Sequence, residues 1–160
     1  MDTKSEFVKI IQEHEGLIYK VTRLYSNGRE DGQDLYQEIV YQLWSSFPSF
    51  RNESKISTWI YRIALNTSIT HLKKIKKKGD HIPIDEWILN RTELTDTLAD
   101  ERSEALFKTI KKLTDIEKAI ILLYLEEKTY AEIAVITGFT ESNVGTRLGR
   151  IKQKIITLIN

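Results

Sequence analysis

The sequence predicts an all-α protein: two small helical modules, an N-terminal helical bundle and a C-terminal four-helix module, joined by a flexible linker. Three observations predict it. Apolar residues recur at three- and four-residue spacing through most of the 160 residues, while strand-like alternation is weak. Pro48, Pro83 and most of the seven glycines fall between these runs, where short loops belong. Residues 79–97 carry no sustained period and hold several acids around Pro83, so they read as linker.

In chain order, the first helix is expected to open on a capping box of Thr3 and Glu6 and run to about Ser26. Its apolar side is Phe7, Ile10, Ile11, Leu17, Ile18, Val21 and Leu24. Asn27 and Gly28 end it. A second helix, from about Asp31 to Ser46, buries Leu35, Ile39, Leu43 and Phe47 at four-residue intervals and stops at Pro48. After the loop 47–54 a third helix turns Ile56, Ile60, Ile63 and Leu72 inward and continues to Lys78. Beyond the linker, a helix from about Leu98 to Leu113 presents Ala105, Leu106, Ile110 and Leu113. Thr114 with Glu117 and Thr129 with Glu132 make capping boxes for the next two helices, 116–125 and 130–136. Gly138 suits a left-handed C-cap, and Thr140 caps the last helix, Glu141 to Ile159.

Composition narrows the chemistry. With 41% hydrophobic residues the chain can bury a core. Cysteine is absent and His14, His71 and His81 lack ligand spacing, which argues against a disulfide framework, a metal site or any other cofactor. The charged segment 1–9 lacks the apolar stretch of a secretion signal, and no run reaches the roughly 18 apolar residues of a membrane span, so a cytoplasmic protein without membrane insertion is expected. The net charge of +1 hides an asymmetry: residues 1–78 carry 13 basic and 9 acidic side chains, 79–117 carry 5 and 10, and 118–160 carry 6 and 4.

The stretch 129–150 has the spacing of a helix-turn-helix: a short helix, a turn with glycine, then a longer helix. Ala134 is small where the helices cross, and Val144 and Leu148 pin the second helix to the first. Glu141, Ser142, Asn143, Thr146, Arg147 and Arg150 are then left facing outward, and Ser142, Asn143, Thr146, Arg147 and Arg150 suit base edges and phosphates. An αα-hairpin with a solvated basic face is the plainer reading of the same pattern.

In the N-terminal half, Asp31-Gly-Gln-Asp-Leu-Tyr-Gln-Glu-Ile-Val-Tyr-Gln-Leu-Trp resembles the second conserved region of extracytoplasmic-function sigma factors, the group 4 members of the sigma-70 family. Ser57-Thr-Trp-Ile-Tyr-Arg-Ile-Ala-Leu-Asn-Thr is similar to that family's signature for opening and reading the minus-ten promoter element. Independently of the family, Arg62, Asn66, Thr70, Lys73 and Lys77 form a polar and basic stripe at helical spacing, able to follow a phosphate backbone. Trp59 and Tyr61 offer rings on which unpaired bases could stack, although aromatics beside Ile60 and Ile63 are commonly core, as Trp44 is expected to be.

The resemblance implies a domain order: residues 1–78 as sigma region 2, 79–97 as acidic linker, and 98–160 as sigma region 4. It implies that Asp34, Gln37 and Glu38 dock on the clamp helices of core RNA polymerase, with the flap region as a further contact. It implies that the loop with Phe50, Arg51 and Asn52 catches an extruded promoter base. Partners follow: core polymerase, promoter DNA and an anti-sigma factor. Stretched out, the linker's 19 residues reach roughly 60 Å, enough to join two DNA sites about one and a half turns apart. Its acids Asp80, Asp85, Glu86, Glu93 and Asp96 could mimic nucleic acid in a basic cleft. Phe139, Gly145 and Gly149 depart from the family pattern around the recognition helix.

Three other readings stay open on sequence alone. A dimeric regulator would bind duplex DNA through residues 129–155 without polymerase, and a protein-only interaction module would leave the polar stripes unused. An enzyme is the most distant, because no acid-base pair, activated nucleophile, phosphate loop or metal set converges.

Overall fold

A computed structural model describes the backbone of residues 2–78 and 98–159 and the side chains of 2–75 and 101–159. Eight α-helices appear among the described residues, with no strand. They are α1 (Thr3–Glu13), α2 (Glu15–Tyr25), α3 (Arg29–Ser46), α4 (Ile56–Lys78), α5 (Leu98–Lys111), α6 (Asp115–Leu125), α7 (Tyr130–Thr137) and α8 (Glu141–Ile159). A 3₁₀ turn, Phe47–Ser49, follows α3. The chain divides into two compact units, the first holding α1–α4 and the second α5–α8. The linker expected at residues 79–97 lies outside the described residues.

The first unit is built around α2, α3 and α4, which pack on one another through fully buried Ile18, Val21, Leu35, Ile39, Leu43, Ile60 and Ala64. The single first helix expected from the sequence is two helices, broken at His14. There the backbone N–H bonds to the Ile11 carbonyl, while Nδ1 of the imidazole donates to the Ile10 carbonyl at 2.8 Å. The side chain thus takes the acceptor that the next turn of backbone would have used, and the ladder restarts at Glu15. The entry cap also differs. Asp2, not Thr3, is the N-cap, its carboxylate accepting from the Ser5 N–H at 2.7 Å; that hydrogen bond lowers the Asp2 pKa.

Helix α3 starts at Arg29, two residues before the expected Asp31, because Gly28 supplies a φ of 99° at its N-cap. Asp31 lies one turn inside. Its carboxylate accepts from the Asn27 N–H at 2.8 Å and from His71 Nε2 at 2.7 Å, tying the α2–α3 turn to α4 across 40 residues of sequence. On α4 the buried face is Ile60, Tyr61, Ala64, Leu65, Ser68 and Leu72, whereas Ile56 and Ile63, expected inside, are only half-buried.

In the second unit Ile110, Leu113, Ile120, Ile121, Leu123, Ile133, Ile136, Val144, Leu148 and Ile151 form the core. Ala105, expected to face inward on α5, is exposed. Both capping boxes form with reciprocal bonds: Thr114 with Glu117 and Thr129 with Glu132. Glu117 also meets Lys154 at 2.9 Å, which fixes the start of α6 to α8. Burial pushes the Glu117 carboxyl up, but the hydrogen bonds from Thr114 and the Lys154 ammonium outweigh it and hold the pKa below the usual carboxylate value.

Candidate functional site

In the second unit, α7 and α8 form the helix-turn-helix that the spacing predicts. Thr129 and Glu132 open α7, and Gly138 closes it in the left-handed conformation at φ 85°, its N–H bonded to the Ala134 carbonyl at 2.8 Å. The Thr140 hydroxyl then accepts from the Asn143 N–H at 3.1 Å and starts α8. Val144, Leu148 and Ile151 hold α8 onto the core. Ser142, Asn143, Thr146 and Arg150 are exposed along its outer side, and Arg147 is half-buried beside them.

Arg147 is held in place. Its Cζ stands 4.2 Å from the centroid of the Phe139 ring, and its Nε donates to Asn143 Oδ1 at 2.5 Å. Gly145 has a use as well. A Cβ there would stand 3.3 Å from Cε2 of Tyr130, so its bare backbone lets that ring lie across α8. Gly149 has open space around it.

The first unit presents a groove of about 530 Å³ between α3 and α4. Asp34, Glu38 and Gln42 line one wall at four-residue intervals, and Asn66, Thr67, Thr70, His71 and Lys74 line the other. Asp34 and Glu38, read separately from the α4 stripe in the sequence, therefore share one cleft with Asn66 and Thr70. Its walls differ in charge, carboxylates facing an ammonium and an imidazole. Gln37 does not belong to it. One turn-fraction round the helix, Gln37 lines a second groove of about 720 Å³ with Lys4, Phe7, Val8, Tyr36, Val40, Tyr41 and Trp44. Burial and the nearby Glu15 carboxylate raise the Tyr36 pKa. Arg62 and Lys73 are exposed on α4, and the side chain of Lys77 lies outside the described ones.

The aromatic residues sort themselves by packing. Tyr61 is only 3% exposed, so the base-stacking role read for it is corrected: position 61 falls on the face of α4 that meets the core. Trp59 is half-buried, with Phe50 at 4.7 Å and Phe47 at 6.2 Å between ring centroids. Phe7 continues the row to Phe47 and Trp44 at 5.4 and 5.0 Å. Trp44, expected in the core, keeps 42% of its surface exposed at the rim of the second groove. Arg51 and Asn52 stand exposed in the loop, where Asn52 has a φ of 57°, a conformation asparagine tolerates better than most residues. Residue spacing alone could flag the stripes on α3 and α4, but not that they face each other.

Among the described residues no cluster of His, Cys, Asp and Glu could hold a metal ion, and no helix is long and apolar enough to cross a membrane. Residues 10–78 match the family profile "Sigma-70 region 2" and residues 103–155 match "Sigma-70, region 4". The RNA polymerase sigma factor SigV of Bacillus subtilis (strain 168) is 32% identical over 150 residues, covering 92% of this chain and 87% of that protein. The ECF RNA polymerase sigma-E factor of Haemophilus influenzae is 31% identical over 142 residues, covering 79% and 74%. This chain is an extracytoplasmic-function sigma factor of the sigma-70 family. Sigma factors serve promoter-specific transcription initiation by RNA polymerase.

The same fold is seen in CnrH, solved in complex with the cytosolic domain of CnrY, with a TM-score of 0.70, 18% identity, and coverage of 98% of this sigma factor and 89% of CnrH. The sigma factor RpoE of Bartonella quintana, solved with the anti-sigma factor NepR, gives a TM-score of 0.67 at 17% identity, covering 98% and 95%. Both likenesses are of fold.

Proposed function

We propose that residues 1–78 form the polymerase-binding and minus-ten module and residues 98–160 the minus-thirty-five module, with 79–97 as the linker. In this reading the exposed Asp34, Gln37 and Glu38 of α3 dock on core RNA polymerase, an acidic and amide surface suited to a basic or donor-rich partner helix. The minus-ten element is met by the loop with Phe50, Arg51 and Asn52, by the Trp59 edge, and by the α4 stripe of Arg62, Asn66, Lys73 and Lys77. Helix α8 lies in the major groove of the upstream element with Ser142, Asn143, Thr146, Arg147 and Arg150 toward the DNA.

The observation that carries this reading is the order of the two sigma regions along the chain, each coinciding with one compact unit that exposes a polar face. The sigma factor itself performs no chemistry and acts in the cytoplasm, where polymerase and DNA are. An anti-sigma protein is the partner expected to hold it inactive, on the precedent of the NepR complex of the Bartonella relative.

The test is to mix the chain with core polymerase, isolate any complex, and follow strand opening and transcript initiation on a library of promoter-like duplexes. Stable binding with initiation from a subset of sequences is expected. Asp34→Ala with Glu38→Ala is expected to weaken core binding by about tenfold or more, since each removes a charge-assisted contact. Absence of core binding, together with tight duplex binding by the chain alone, would replace this reading with that of a dimeric regulator.

A further inference from the structure

We propose that Phe139 is a positioning residue for promoter recognition: with Asn143 it fixes Arg147 as a preset guanine reader in the upstream element. The proposal rests on the reading of α8 as the recognition helix and adds to it a specificity-determining residue that never needs to touch DNA.

An exposed arginine samples many rotamers, and ordering it on binding costs entropy and blurs discrimination. Arg147 is constrained in two ways. The guanidinium carbon stands over the Phe139 ring at 4.2 Å from its centroid, a cation–π contact that anchors the group at that spot. The Nε–H is committed to Asn143 Oδ1, one helical turn earlier, which restricts how the group can turn there. The terminal Nη1 and Nη2 amino groups are left as a parallel pair of donors. Guanine presents N7 and O6 as adjacent acceptors in the major groove, the pattern that such a pair matches bidentately.

The same bond changes what Asn143 can read. Bidentate pairing with adenine uses the amide oxygen as acceptor and the amide nitrogen as donor together. With one Oδ1 lone pair engaged by Arg147, Asn143 keeps its Nδ2 donor and a single Oδ1 lone pair, so pairing with adenine is left to one orientation of the amide. Phe139 directly follows Gly138, whose left-handed conformation ends α7 and turns the chain toward the start of α8.

The experiment uses the full chain in complex with core polymerase and duplexes randomised across the upstream element, with bound sequences counted at two salt concentrations. Wild-type chain is expected to prefer guanine at one position by about tenfold or more over each other base. Arg147→Ala should abolish that preference. Phe139→Leu, which keeps an apolar side chain but removes the π-face, should reduce it severalfold at that position while leaving the salt dependence of binding unchanged; Phe139→Tyr should restore it. Circular dichroism of each variant separates loss of fold from loss of reading. If Phe139→Leu keeps the full guanine preference while Arg147→Ala loses it, the positioning role is overturned and the recognition-helix reading stands. A uniform weakening over all sequences with a shallower salt slope in Arg147→Ala would make Arg147 a phosphate contact and overturn the guanine assignment. If Arg147→Ala and Arg150→Ala both leave the sequence preference untouched, the recognition-helix reading itself fails.

Discussion

The two units expose polar faces of different construction. In the α5–α8 unit the side chains proposed to meet DNA come from one continuous helix, and the devices that orient it lie within the 22 residues 129–150: a capping box, a left-handed glycine and a hydroxyl cap. In the α1–α4 unit the groove is assembled from α3 and α4, and the bond that ties their ends, Asp31 to His71, spans 40 residues. A locally encoded face needs only its own helix and turn to be right. An assembled face depends on packing throughout its unit, so damage at a distance reaches it.

The largest effects are expected from hollowing each unit separately. Leu43 and Leu148 are buried to 0% and 1% exposure in the first and second units. Leu43→Ala and Leu148→Ala are each expected to cost about 3 kcal/mol, within the usual range for deleting a buried leucine side chain. The described tryptophans, Trp44 and Trp59, lie in the first unit, and residues 98–160 contain none. Leu43→Ala should therefore move the unfolding transition seen by tryptophan fluorescence, and Leu148→Ala chiefly the one seen by far-ultraviolet circular dichroism. Equal shifts in both probes for both variants would mean that the units unfold as one.

A smaller effect is expected from the long-range tie. His71→Leu removes the Asp31 hydrogen bond and should lower stability by about 1 kcal/mol. It should also weaken core binding, because Asp34 and His71 line the same groove; denaturant unfolding and a core-binding titration check the two parts. Thr129→Ala, which removes the local cap of α7, should cost a similar amount, about 1 kcal/mol, but leave core binding unchanged if the α3 face alone carries it.

Gly149→Ala should have the opposite sign, raising stability by up to about 1 kcal/mol, because the position is mid-helix and a Cβ there meets nothing within 4 Å. Gly145→Ala should gain less, since its Cβ would approach the Tyr130 ring at 3.3 Å. Thermal unfolding of the two variants measures the difference.

The smallest expected effect is the pH dependence contributed by Glu117. Its carboxyl pKa is lower in the folded chain, so its contribution to stability is fully present above the ordinary carboxylate pKa and fades as pH falls through the lowered one. Glu117→Gln should flatten that part of the stability profile on the acid side and leave neutral-to-alkaline behaviour parallel to wild type. An unchanged acid limb would show that the Thr114–Glu117–Lys154 contacts do not persist in solution.

What was legible in the sequence follows the same division. Capping boxes at Thr114 and Thr129, the glycine at 138, the cap at Thr140 and the end points of α4 and α8 depend on neighbours within one turn, and each is where the residue types place it. The break at His14 is hidden in the sequence because the apolar spacing continues across it, while the backbone N–H shifts to the Ile11 carbonyl and the imidazole bonds to that of Ile10. Tyr61 was misread for a related reason. A tyrosine beside two isoleucines fits either a stacking platform or a core face, and the packing of α2 and α3 on α4 decided for the core.

By itself the sequence determined the helical class, the division into two modules, the helix-turn-helix and the membership of the sigma factor family, because these rest on periodicity, local caps and short motifs that any stretch of chain carries intact. The tertiary structure alone decided which polar stripes share a groove, that Gln37 stands apart from Asp34 and Glu38, and that Phe139 lies beneath Arg147. Those are matters of rotation about helix axes and of which rings fill which gaps. They are set by the close packing of side chains in three dimensions, which linear spacing does not contain.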